Sequence, residues 1–214
     1  MAIDIDLIMQ QAISQSPAVA RVFERDKMTS TFTSEEKAIV YQLKRSLKLA
    51  MEDGGISDYS NFNMVIAGGF FASMFGSTAY NQYNDLDVFI LNNEALFQNC
   101  IQTTTYKWKV SEKTAGSPYF HNPHILKTAK NTVNKVQFIL TDYNTREELI
   151  ASFDFVHCTI SYDTMQEVLY ITRRAYDANK NKHLINNLKT EPPQSWRVQK
   201  FIDRGWKVPQ AIYA

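Results

Sequence analysis

Residues 64–91 read MVIAGGFFASMFGSTAYNQYNDLDVFIL, and this stretch decides how the chain is read. Met64 to Ala67 is a short apolar run of strand type that ends at Gly68-Gly69. A segment with little charge follows, expected to be a helix over about 69–80. Then Asp85 and Asp87 stand one residue apart at the start of a second apolar run, Val88 to Leu91. Side chains alternate along a strand, so the two aspartates share one side while Leu86 and Val88 share the other. Two carboxylates this close repel unless a cation lies between them. Hard oxygen ligands suit Mg²⁺ (or Mn²⁺), which fills its remaining positions with water and phosphate oxygens. A glycine turn beside such a pair is a place for phosphates. The combination points to metal-assisted nucleotidyl transfer.

Working outward, a length of 214 residues predicts one domain with extensions and a core of proper size. Hydrophobic residues at 44% and aromatics at 13% suit a globular chain and not a disordered one. A net charge of +1 argues against a strongly basic duplex-binding protein. No apolar run approaches a membrane span, and the start MAIDIDLIMQQ is acidic where a signal peptide is basic, so no membrane partner is expected. Cys100 and Cys158 sit in apolar surroundings and read as buried reduced thiols of a cytoplasmic protein.

The flanking segments predict an α+β fold. A helical N-terminal extension covers 1–55, a catalytic core 60–172 and a basic helical tail 173–214. Residues 4–24 look helical. Thr33-Ser34-Glu35-Glu36 is a capping-box pattern that opens an amphipathic helix with Ile39, Leu43, Leu47 and Met51, ended by Gly54-Gly55. A short helix is expected near Asn93–Ile101, a strand over 103–110 and a loop over 111–123. Strands are expected at Val136–Leu140, Phe153–Ser161 and Val168–Thr172, with helices at Arg146–Ala151 and Gln194–Arg204. His121 and His124 share an HxxH spacing in a loop without a third ligand, which reads as incidental. His157 reads as a satisfied strand histidine, and Tyr80, Tyr83 and Tyr119 more as core than as base-stacking groups. Arg173-Arg174, Lys180, Lys182 and His183 read as surface charge, kept as weak contacts for an acceptor nucleic acid.

Ala67-Gly68-Gly69, fifteen intervening residues and Asp85-Leu86-Asp87-Val88 together resemble the signature of the DNA polymerase β-like nucleotidyltransferase superfamily, in its phage and large-virus form. The resemblance covers about residues 60–160. It implies a mixed-sheet nucleotidyltransferase core, an NTP substrate, two Mg²⁺ (or Mn²⁺) ions and a hydroxyl acceptor. RNA or tRNA is the expected acceptor, with protein also open, and a viral member would act in the host cytoplasm. Gly68 and Gly69 would hold phosphates, and Ser73 would contact a phosphate oxygen. The family's usual serine after the first glycine is Gly69 here. The family needs a third carboxylate. The strand Lys135-Val136-Gln137-Phe138-Ile139, where many members carry it, has Gln137 instead. Asp154, between Phe153 and Phe155, is therefore the expected third ligand, ahead of Asp142 and Asp163. The tail RVQKFIDRGWKVP resembles a basic-aromatic helix of the same viral group, in which Arg197 and Lys200 would bind the triphosphate, against a solvated helix face as the plain alternative. The expected site is thus Asp85, Asp87 and Asp154 for metal and catalysis. The alternative is an inactive nucleotide-binding or regulatory protein on the same fold, motivated by Gln137.

Overall fold

The structure, a computed structural model, describes residues 32–56, 62–75, 83–102, 107–112, 122–187 and 193–208. The expected helix over 4–24 lies outside these residues, as do Tyr80, Tyr119 and His121.

Helix α1 spans Ser34–Asp53 and starts as its capping box dictates. The Thr33 hydroxyl accepts from the Glu36 N–H at 3.2 Å, and the Glu36 carboxylate accepts from the Thr33 N–H at 2.8 Å. Strand β1 (Met64–Ala67) leads through Gly68 into α2 (Gly69–Met74), then β2 (Leu86–Leu91), α3 (Glu94–Gln102) and β3 (Lys109–Glu112). Strands β4 (Ile125–Asn131) and β5 (Val136–Thr141) and helix α4 (Arg146–Ala151) follow. A 3₁₀ turn at Val156–Thr159 precedes β6 (Ser161–Asp163), β7 (Val168–Tyr170), α5 (Arg173–Asn181) and α6 (Ser195–Ile202). The seven strands form one mixed sheet in the order β3-β4-β5-β2-β1-β6-β7. Only the β2–β5 pair among them is parallel.

The sheet has two unlike faces. Met64, Ile66, Leu86, Val88, Ile90, Val136 and Phe138 pack under α1, α2, α3 and α5 as the main core. The opposite face carries a smaller cluster of Val65, Ala67, Phe89 and Ile139 under Leu149 of α4. The period-two alternation of β1 and β2 assigns each residue to its face. Arg173 of α5 ties α1 down through a double hydrogen bond to Glu36, at 2.7 and 3.0 Å. That guanidinium, with the Thr33 N–H, holds the Glu36 carboxyl down at about 2.

Several elements differ from the sequence expectations. The strand expected over Phe153–Ser161 is mostly a 3₁₀ turn, and only Ser161 begins a strand. The reason is visible in the burial. Phe155, Val156, His157 and Cys158 are all buried in succession, which a turn wedged between layers achieves and a one-faced strand does not. Strand β4 was not expected; its pairing with β5 shifts register between Ile125 and Lys127 and is regular from Lys127 to Asn131. Helix α5 opens the tail that was expected to be basic and helical; its apolar contacts are Ala175, Tyr176 and Ala178, in an otherwise polar segment.

Candidate active site

Asp87 sits on β2, on the face away from the main core, and Asp85 immediately precedes the strand. Antiparallel pairing sets Ala67 opposite Asp87, and Gly68 follows at once. A Cβ added to Gly68 would come 3.3 Å from Asp87 Oδ2. The glycine turn and Asp87 therefore meet. Gly68 itself has φ +88°, and its N–H donates to the Cys158 carbonyl at 3.2 Å. Its part is conformational, since an L side chain is strained there. Among the described residues, nothing lies within 4 Å of a Cβ added to Gly69. Ser73 is one turn further on and donates to the Gly69 carbonyl at 3.0 Å.

Burial first, and Asp85 second, push the Asp87 carboxyl up to about 7. Lys130, Lys200 and Arg197 oppose that rise and so lie within electrostatic reach. Lys200 is on α6, and its ammonium is pushed down by burial and by the neighbouring Arg204 and Arg197. Cations crowded in this way, beside a carboxylate that resists ionising, make a site that an anion and a cation would relieve together.

Asp154 lies in the turn between α4 and the 3₁₀ turn, not on a strand. Its carboxylate accepts from Arg197 twice, from Nε and from Nη2, the latter at 3.0 Å. Asp142 pairs with His124 at 2.8 Å beyond the other end of β5, and Asp163 caps the Gln166 N–H at 2.9 Å. Tyr83 is buried against Phe70, with ring centroids 4.9 Å apart, and belongs to the core. Gln137 of β5 is in register beside Asp87 of β2, and Lys130 of β4 is in register beside Gln137. Lys130 reaches Asp85 with its ammonium, 2.8 Å from Oδ1 and 2.9 Å from Oδ2. Sequence reasoning missed Lys130, because no strand was expected over β4 and its partner is set by cross-strand register.

These donors can be tested against a divalent ion. The Asp85–Asp87 pair fits one, because the two hard carboxylates lie close enough for Asp85 to push the Asp87 carboxyl up. A second ion needs a third acid. Gln137 holds the register position beside Asp87, and Asp154 is engaged by Arg197. Among the described residues, no three His, Cys, Asp or Glu side chains are grouped to hold a metal. The donors fit one ion and not two.

His157 is also not what its sequence context implied. It is fully buried, and among the described residues neither ring nitrogen has a hydrogen-bond partner. Its ring packs 4.0 Å from Trp206 and 4.5 Å from Phe201, centroid to centroid. These rings, with Phe155, Cys158 and Leu184, form the cluster that seats α6.

Comparison with known proteins adds three findings. Residues 38–182 match the family model described as "Gad2: Gabija anti-defense 2 family protein". No curated protein matches. Among solved structures, the chain is similar to the Thermotoga maritima CCA-adding enzyme complexed with tRNA, with a TM-score of 0.56 at 13% identity over 82% of this chain and 43% of that one. It is also similar to CCA-adding enzyme in complex with ATP (TM-score 0.53, 13% identity, 78% and 39% covered) and with CTP (0.52, 14%, 78% and 39%). The fold is therefore nucleotidyltransferase-like, and the chain spans less than half the length of these structures.

Proposed function

The chain belongs to the Gabija anti-defense 2 family, and on that premise we propose that it opposes this defence as a nucleotidyltransferase. It binds an NTP and transfers the nucleotidyl group to a hydroxyl acceptor, releasing pyrophosphate. RNA or tRNA is the favoured acceptor class, since relatives in fold bind tRNA; a protein hydroxyl is the other. The observation that carries the reading is the Asp85–Asp87 pair against the Gly68–Gly69 turn, with the Asp87 carboxyl pushed up to about 7 by burial and by Asp85.

Asp85 and Asp87 would hold a divalent ion, Mg²⁺ or Mn²⁺, which when bound offsets triphosphate charge and polarises the reacting phosphoryl group. The open surface at Gly69 lets a phosphate approach the backbone. Arg197, fixed by Asp154, and Lys200 offer positive charge to the leaving pyrophosphate. In this reading Asp154 orients Arg197 through two hydrogen bonds and acts at the triphosphate only through it.

The test is incubation of the protein with each labelled NTP, Mg²⁺ or Mn²⁺, and total RNA or lysate. A labelled product that disappears in Asp87→Asn supports the reading. Nucleotide binding without any product supports the second reading, a nucleotide-binding regulator on the same fold, which Gln137 beside Asp87 favours.

A further inference from the structure

One cross-strand row ends at the candidate metal pair. Lys130 of β4 lies beside Gln137 of β5, which lies beside Asp87 of β2. Gln137 is neutral and shorter in reach than a lysine. Lys130 passes it and sets its ammonium 2.8 and 2.9 Å from the two oxygens of Asp85. A lysine ammonium is a compact point charge with three donors and no acceptor. Here it offsets the charge of the Asp85 carboxylate. Three carboxylates holding two divalent ions present one net positive charge to a triphosphate. Two carboxylates, one divalent ion and one ammonium present the same.

We propose that Lys130 supplies the second positive centre of this site, so that the site takes one divalent cation where the superfamily resemblance implied two. The proposal rests on the reading of Asp85 and Asp87 as metal ligands given above. Lys130 and Asp85 both keep partial exposure, with side chains 39% and 30% accessible, so an incoming ion and triphosphate can share the pair without breaking buried structure. The third acid becomes unnecessary, which accounts for Gln137 and for the commitment of Asp154 to Arg197.

The test counts metal and not product. The full chain is mixed with an equal, saturating amount of a non-hydrolysable NTP analogue, and bound Mn²⁺ is counted from the loss of the free-ion EPR signal. The wild-type complex should bind one Mn²⁺. Lys130→Met should still bind one, but hold the analogue about tenfold more weakly, the loss of roughly one close charge contact. Lys130→Met combined with Gln137→Glu should bind two Mn²⁺ and recover the analogue affinity. Two ions in the wild type, or unchanged analogue affinity in Lys130→Met, would overturn the proposal, and both are read without the double variant. Asp87→Asn separates this inference from its premise. If Asp87→Asn retains the wild-type Mn²⁺, the metal reading of the pair fails with it. If the ion is lost but the wild type had held two, only the role of Lys130 fails.

Discussion

Burial disfavours the charged form of both Asp87 and His157, and the two bend stability with pH in opposite directions. The Asp87 carboxyl is raised from 3.8 to about 7, so its contribution is full below the unfolded value and is lost as pH rises through 7. His157 is lowered from 6.5 to about 3, chiefly by burial and secondly by Arg197. Its contribution is full above 6.5 and is lost as pH falls toward 3. Between about 4 and 6.5 the two slopes oppose each other. Asp87→Asn should therefore unmask the histidine, giving a stability that rises with pH by up to about 1.4 kcal/mol per unit. His157→Phe, which suits the ring cage of Phe155, Phe201 and Trp206, should leave the reverse slope. Urea melts in EDTA at several pH values check both, and parallel profiles for the two variants would refute the assignment.

At the scale of elements, the turn between β1 and α2 and the seat of α6 make separable claims. Gly68 has a positive φ, and Gly69 has open space among the described residues. Gly68→Ala should cost about 1–3 kcal/mol of stability, the price of a strained backbone. Gly69→Val should change the melting temperature little and weaken NTP binding strongly, because its side chain meets no protein and enters the phosphate approach. If Gly69→Val bound NTP normally, the turn would be removed from the site. Helix α6 is held by a satellite cluster apart from the main core. Trp206→Ala should lose about 3–5 kcal/mol of packing there and release Arg197 and Lys200 from the site. The expected outcome is early proteolysis near α6 and weak NTP binding, with far-UV circular dichroism close to wild type. Global unfolding in that variant would show that α6 and the sheet form one cooperative unit.

For the whole molecule, the sheet places bulk stability on one face and chemistry on the other. The main core under α1, α2, α3 and α5 excludes the aspartates, so removing their charge should not weaken it. Mg²⁺ should stabilise the wild type at pH 8, where Asp87 must carry charge without a cation. At tenfold excess over its dissociation constant the gain is about 1.4 kcal/mol, or roughly 3–6 °C in a chain of this size. Differential scanning fluorimetry with Mg²⁺ against EDTA measures it. Asp85→Asn/Asp87→Asn should abolish the shift, and a shift that survives would place the ion elsewhere.

The sequence alone determined what is local. The capping box of α1, the strand-turn-helix at Met64–Met74 and the alternation that turns Asp87 away from the main core all follow from neighbours within a few residues, and the structure has them. The α+β class and the mixed sheet followed from counting such elements. What only the tertiary structure decided was which distant charges meet. Lys130 reaches Asp85 across β5, and Arg197 closes on Asp154 from 43 positions away. Asp154 looked like a strand residue because aromatics flank it, yet burial of four consecutive side chains folds that segment into a turn. Side-chain pairing across strands and helices depends on register and docking, and neither leaves a periodic trace in the chain.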